Sequence, residues 1–234
     1  MHEYLCVNPK SITALNNRYF SHAICDSGVH FFHENPLASD YPSGYLEDYL
    51  KLAKKLAATF QDRIWITVPD YPDDYHPGQF GDNVEKTLIN IERFANYVDI
   101  PWMPTIQARF GDIRSFEYCC KEIRAMQFFD QVAIGTVCKI RNVNFILQCC
   151  RVARRYFPDS WIHAFGPPLN SITRIKNYAN SFDSTAWTFP RSSHKASCKT
   201  ALERKDYFNS FVLLLSARLK FNDYSILDFV NVSQ

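Results

Sequence analysis

The chain has 234 residues, of which 47% are hydrophobic and 21% charged, so it can bury a sizeable core and is not expected to be disordered. Its formal net charge of +2 neither requires nor excludes a nucleic-acid partner, and no apolar run approaches the length of a membrane span. The eight cysteines contain no CxxC pair, which argues against structural zinc and favours a cytoplasmic protein with reduced thiols.

Short apolar segments alternate with longer amphipathic ones along the chain. In order, we predict a strand at 4–9, a strand at 22–26, a helix at 46–60, a strand at 63–68, a helix at 82–97, a strand at 103–108, a helix at 113–129, a strand at 131–136, a helix at 143–156, a strand at 161–165, a short helix at 171–179, a strand at 182–187 and a long helix at 201–221. Asp82 and Asn142 are predicted to cap the helices that follow them. Residues 224–230 either supply an eighth strand or pad the floor of the fold.

Repeated βα units predict an α/β protein with a parallel sheet. Seven to eight units in 234 residues fit a small (β/α)8 TIM-type barrel, which we expect to form one domain over residues 1–234. An open doubly wound sheet is the alternative, but no GxGxxG follows the first strand.

Polar and small residues recur where the predicted strands end. These are Asp26, Asp70, Gln107, Gly135, Phe165 with Gly166, and Asp183. In a (β/α)8 barrel the carboxyl ends of the strands form the active-site rim, so these residues are expected to meet. Three carboxylates at one rim repel each other, which usually implies a cationic ligand or a shared proton. Each Asp could instead only cap a turn.

The segments around these residues resemble motifs of the tRNA-guanine transglycosylase superfamily, most closely its archaeosine branch and the DpdA-type branch that inserts 7-deazaguanines into DNA. The resemblance spans about residues 20 to 190. It is carried by Asp26-Ser27-Gly28, by Asp70 and Gln107, by Ala133-Ile134-Gly135, by His163-Ala164-Phe165-Gly166 and by Phe182-Asp183-Ser184. The zinc-binding segment of that family and its RNA-binding domain have no counterpart in this sequence.

The resemblance implies a role for each residue. Asp183 would be the nucleophile and Asp26, followed by Ser27, the general acid and base. Asp70, Gln107 and the Gly135 backbone would bind the base edge, and Phe165 with Gly166 would cover its face. His30 stands where the family has an aromatic ring and, like Trp187, is a weaker stacking candidate.

The expected reaction exchanges guanine in a polynucleotide for a 7-deazaguanine, with no cofactor and no metal. DNA is the favoured partner and tRNA the alternative; a helper protein that opens the duplex is left open, and no membrane is involved. A nucleoside or glycoside hydrolase with the same carboxylate pair is a second alternative.

Three further groups of residues were considered for roles outside this site. Lys139, Arg141, Arg191 and Lys195 are placed to meet phosphates, whereas the arginines at 151–155 are expected on a solvated helical face. His30 and His33 lack an evident third metal ligand. His163, inside an apolar strand, is interpreted as a core histidine.

Overall fold

The computed structural model describes residues 4–17, 20–73, 76–183, 200–219 and 226–229. The strands are β1 (Tyr4–Val7), β2 (His22–Cys25), β3 (Ile64–Thr67), β4 (Trp102–Met103), β5 (Thr105–Ile106), β6 (Gln131–Ile134), β7 (Trp161–Ala164), β8 (Ser181–Asp183) and β9 (Ile226–Phe229). The helices are α1 (His30–Glu34), α2 (Tyr45–Phe60), α3 (Asn83–Ala95), α4 (Ile113–Met126), α5 (Val143–Tyr156), α6 (Leu169–Ile175) and α7 (Ala201–Leu219), with 3-10 turns at Ile12–Asn17 and Gln61–Arg63. The protein is therefore α/β, as predicted.

Every strand pairing within these residues is parallel, in the order β4-β3-β2-β1-β9-β8-β7-β6-β5. The two outermost strands, β4 and β5, are consecutive in the chain and are separated only by Pro104. β9 pairs with both β1 and β8, so of the two alternatives for residues 224–230 the structure shows the strand.

The sheet buries a different hydrophobic cluster on each face. On β6, Val132 and Ile134 belong to the larger cluster, which also contains the apolar faces of α2 to α5. The smaller cluster consists of Cys6, Ile24, Met103 and Ala133 with Trp65 and Phe165, all from strands or strand ends. Because alternate residues of a strand point to opposite faces, β1, β2, β3, β4 and β6 contribute to both clusters.

Several predicted boundaries are corrected. The strand predicted at 103–108 is two short strands, because Pro104 has no N–H with which to continue the ladder. The helix predicted at 113–129 ends at Met126, and the one predicted at 171–179 is α6, which ends at Ile175. Residues 184–187 of the strand predicted at 182–187, Trp187 included, lie outside the described residues, as do Arg191 and Lys195.

Arg154 corrects the expectation of a solvated arginine face on α5. Its guanidinium donates to Asn180 Oδ1 at 2.5 Å and to the carbonyls of Phe157, Pro158 and Ser160, with Nε reaching the Tyr178 carbonyl at 3.2 Å. The positive charge thereby satisfies carbonyls beyond the C-terminus of α5, where the helix dipole favours a cation. Arg151 and Arg155 remain exposed.

The two predicted caps are present. Asp82 accepts the Glu85 N–H at 3.2 Å, and Asn142 accepts those of Asn144 and Phe145. The seven described cysteines form no disulfide, and six of them are buried. In the described part of the chain, no helix combines the length and apolar character needed to cross a membrane.

Candidate active site

Asp26 directly follows β2, and its backbone N–H continues the ladder by donating to the Val7 carbonyl at 2.7 Å. Its side chain is partly exposed and accepts the Gly28 N–H at 3.3 Å. Burial, and then the negative charge of Asp183, raise the pKa of Asp26 to about 6, against the pull of the Gly28 N–H. A carboxyl group with this pKa can both give and take a proton near neutral pH.

Asp70 sits at the centre of a buried hydrogen-bond network. Its two oxygens accept from the Ser27 hydroxyl at 2.9 Å and from Gln107 Nε2 at 2.6 Å. Burial and the charge of Asp26 raise the pKa of Asp70 to about 7, although both hydrogen bonds favour the ionised form. The network joins the ends of β2, β3 and β5.

Gln107 is fully buried, and its Oε1 has no hydrogen-bond partner among the described residues. The side chain lies against Gly135, where an added Cβ would come within 2.2 Å of Gln107 Nε2 and 2.6 Å of Thr105 Cγ2. Glycine is therefore required at this position by space, since its φ is not in the left-handed region. Gln107 Oε1 is thus a buried acceptor without a partner among the described residues.

Asp183 ends β8 and is buried. Its Oδ1 accepts the Gly166 N–H at 2.7 Å, and Oδ2 accepts no hydrogen bond from the described residues. Gly166 adopts a left-handed φ of 56°, and a Cβ there would meet Cys138 Sγ at 2.6 Å. The Gly166 peptide thus fixes one carboxylate oxygen, while the other has no hydrogen bond from the described residues.

The polar groups of Trp161, Ser181 and His163 form a chain that leads to Asp183. Trp161 Nε1 donates to Ser181 Oγ at 2.8 Å, and Ser181 Oγ lies 2.9 Å from His163 Nδ1. The Ser181 hydroxyl can donate to His163 Nδ1 or accept from it, and the Asp183 carboxylate near Nε2 favours the tautomer with the ring proton on Nε2. That nitrogen lies 3.4 Å from Asp183 Oδ1, without the alignment of a hydrogen bond. His163 thus turns a proton, and partial positive charge, toward the carboxylate.

Phe165 is the apolar member of the site. Its ring is partly exposed, lies edge-on to His163 with centroids 4.6 Å apart, and packs against the smaller hydrophobic cluster. It occupies the same strand end as Gly166, so an exposed ring and the Asp183-binding peptide are adjacent.

His30 is the predicted site residue that does not join these networks among the described contacts. It begins α1, its side chain is 60% exposed, and Nε2 lies 3.4 Å from Glu34 of the same helix. Its ring packs against His33, which in turn stacks on His76. Within the described residues no three His, Cys, Asp or Glu side chains form a group that could hold a metal ion.

Two tyrosines that the sequence analysis did not single out donate hydrogen bonds to the loops that carry Asp26 and Asp70. Tyr45 donates to the Ser27 carbonyl at 2.5 Å and Tyr41 to the Asp70 carbonyl at 2.8 Å, and their rings stack 4.8 Å apart. Ser181 and the functional orientation of His163 were also missed. Period-two alternation with Asp183 places Ser181 on the same face, and this pattern is the signal that could have identified it.

In comparisons with known proteins, no family model and no curated protein matches the chain.

Proposed function

We propose that the protein is a base-exchange transglycosylase that replaces guanine in DNA with a 7-deazaguanine through a covalent Asp183–sugar intermediate. The observation that carries the proposal is the pairing of Asp183 with Asp26. One carboxylate is buried with a single oxygen fixed, and the other has a pKa of about 6, raised in part by the first. Two carboxyl groups with separated roles are what displacement at an anomeric carbon requires.

The first half of the reaction breaks the original glycosidic bond. Asp183 Oδ2 attacks C1′ of the sugar, the bond from C1′ to the base nitrogen breaks, and the nitrogen keeps the electron pair. Asp26, protonated, gives its proton to the departing guanine. The sugar is then held as an ester of Asp183 and Asp26 is ionised, so charge and protons balance.

The second half runs in reverse with the incoming base. Ionised Asp26 takes the proton from the ring nitrogen of the 7-deazaguanine, and that nitrogen attacks C1′ while the Asp183 ester bond breaks. Both carboxyl groups return to their starting states. No oxidant, reductant or cofactor is needed.

Selection of a guanine-like base is supported by the Asp70 network. A carboxylate beside a buried amide matches the ring N–H and exocyclic amino group of guanine, which are adjacent donors. Gln107 Oε1 adds a third acceptor, which is buried and has no partner among the described residues. An unpaired buried acceptor discriminates strongly, because a ligand that lacks the donor leaves it unpaired.

The proposal includes closure of the sheet into a small (β/α)8 barrel. Trp65 of β3 and Trp161 of β7 stand five strands apart in the order, about 24 Å on a flat sheet at the usual strand spacing. Their rings are 5.4 Å apart. Hydrogen bonds around Pro104 also support closure. The Met103 carbonyl of β4 accepts from Val68, which follows β3, and the adjacent Pro104 carbonyl accepts from Ala133 of β6. Consecutive carbonyls therefore bind strands from opposite ends of the strand order.

The test is a covalent trap with a single-stranded, labelled DNA oligonucleotide and a guanine analogue. We expect wild type to give an adduct on a denaturing gel, and Asp183→Asn to give none, because an amide is a far poorer nucleophile than a carboxylate. Asp112→Asn is the matched control, since Asp112 caps α4 and Asn caps about equally well. An adduct that persists in Asp183→Asn would refute the assignment.

A second readout separates exchange from hydrolysis. Nucleoside mass spectrometry of DNA and tRNA, from cells that express the chain with 7-deazaguanine precursors, should show the modified base in DNA. Abasic sites without incorporation would instead indicate a hydrolase with the same carboxylates. Incorporation into tRNA alone would show that tRNA, and not DNA, is the substrate.

A further inference from the structure

A groove of neutral and basic side chains runs beside the candidate active site. It comprises two cavities of about 390 and 430 Å³ that share Asn142. The side chains central to it, here called the basic groove, are Phe110, Lys139, Arg141, Asn142, Asn144 and Arg174. Every residue lining the two cavities is neutral or basic.

The basic groove is linked to Asp183 through Cys138 and Gly166. Cys138, which precedes Lys139, packs against Gly166, whose N–H holds the Asp183 carboxylate. Lys139 and Arg141 follow β6, as Gly135 does, so the groove starts at the same edge of the sheet as the polar network. An extended ligand with one residue in the site would continue into the groove.

We propose that the basic groove binds the phosphate backbone of single-stranded DNA beside the nucleotide that reacts at Asp183; this inference rests on the proposed function. Lys139, Arg141 and Arg174 are exposed cations. Arg174 is oriented by its hydrogen bond from Nη1 to Asn144 Oδ1 at 3.1 Å. The N-terminus of α5, which Asn142 caps, adds partial positive charge between them.

The exposed ring of Phe110 favours an unpaired strand over a duplex. Phe110 is 52% exposed although it is a large apolar side chain, and it lines the same cavity as Lys139 and Arg141. An aromatic face next to cations is the arrangement that binds single strands, because any unpaired base can stack on it while the cations follow the phosphates. Bases in a duplex are already stacked and cannot use this face.

The test measures binding without turnover, in the Asp183→Asn background, by fluorescence anisotropy of a single-stranded DNA oligonucleotide at several salt concentrations. Arg141→Gln with Arg174→Gln should weaken binding about tenfold at low salt and flatten the log–log salt slope by about 1.4, or 0.7 per lost contact. The control, Lys51→Gln with Lys121→Gln, removes the same charge from exposed sites on α2 and α4 and should change neither quantity. Equal affinity and slope in the groove and control variants would overturn the proposal.

Two further arms test the chemistry of the contact. In an oligonucleotide with neutral methylphosphonates beside the target, the groove substitutions should have little further effect, whereas full additivity would place the contact elsewhere. Single-stranded RNA bound more tightly than DNA by the same residues would refute the choice of DNA. The binding test and the exchange test can fail independently. An enzyme that forms the adduct but whose groove does not bind DNA would refute only this inference. A protein that binds DNA through the groove but exchanges no base would refute only the proposed function.

Discussion

At the scale of single residues, the charge of Asp183 is coupled to the protonation of Asp26. Burial is the largest cause of the raised Asp26 pKa, and the Asp183 charge adds to it. Asp183→Asn removes that charge, so the pKa of Asp26 should fall below about 6 while remaining above its ordinary value. Carbon NMR of labelled aspartates measures this directly. An unchanged Asp26 pKa would mean that the two carboxyl groups are not electrostatically coupled, and Asp112→Asn provides the baseline.

The Ser181 hydroxyl should fix the tautomer of His163. In wild type, nitrogen NMR is expected to show the His163 proton on Nε2, because the Ser181 hydroxyl can donate to Nδ1 and the Asp183 carboxylate faces Nε2. Ser181→Ala should give a mixture of tautomers. Trp161→Phe keeps the hydroxyl and should have a smaller effect. A proton on Nδ1 in wild type would contradict the deduced order of donors.

At the scale of secondary-structure elements, the end of β6 must remain without a side chain. Gly135→Ala would force Gln107 and Thr105 away, so we expect loss of the Gln107–Asp70 hydrogen bond and a destabilisation of about 1–3 kcal/mol. Guanine binding, measured by calorimetry, should weaken at least about tenfold, which equals about 1.4 kcal/mol.

The neighbouring substitution Thr136→Ala is the control for Gly135→Ala. Thr136 is fully buried, and its hydroxyl has no partner among the described residues, so its removal should cost about 1 kcal/mol or less. Base binding should be retained. Equal loss of binding in both variants would show that Gly135 acts only through stability.

Elements were largely predictable from the sequence, and the contacts between them were not. Short apolar runs located β6 and β7, and helical periodicity located α3 and α5, because each of these segments buries most of its apolar side chains. The break between β4 and β5 at Pro104 was missed. A single proline in an apolar run is also compatible with one strand that ends there, so the sequence did not distinguish one strand from two. α1 was missed because its five residues, four of them phenylalanine or histidine, are too few to show a helical period.

The candidate site divides in the same way. Asp26, Asp70, Gln107, Gly135 and Asp183 could be predicted because strand ends on one edge of a parallel sheet meet. The hydrogen bond from Gly166 to Asp183 could not be predicted, because it depends on a left-handed backbone that glycine can adopt but need not adopt. The turning of His163 toward Asp183 depends on Ser181 and Trp161, two residues whose types are common in any strand.

At the scale of the whole molecule, the acidic site should make stability depend on pH. Asp70 has a folded pKa of about 7 and Asp26 of about 6, both above the ordinary value for Asp. The stabilisation from groups of this kind is complete below about pH 4 and is lost as pH rises toward 7, because folding then holds poorly solvated charges. For Asp70 the loss is on the order of 4 kcal/mol.

Asp70→Asn should remove this dependence. We expect the variant to exceed wild type in free energy of unfolding at pH 8 and to approach it at pH 4, as measured by urea denaturation at both values. Asn can still accept from Ser27 and can donate to Gln107 Oε1, so the network survives. A difference that is the same at both pH values would contradict the raised pKa of Asp70.

The rings of Trp65 and Trp161 are tilted to each other with centroids 5.4 Å apart, and His22 lies 5.2 Å from Trp65; in a closed barrel these rings would obstruct the amino-terminal end of the strands. In the proposed barrel this leaves one mouth, at the carboxyl end, for every molecule that visits Asp183. Under the proposed function, the displaced guanine would leave by the opening through which its replacement arrives, while the bound polynucleotide occupies part of that opening. Release and entry of the bases through this shared opening, rather than bond breaking, would then limit the turnover rate. Free guanine would compete with the incoming base for entry.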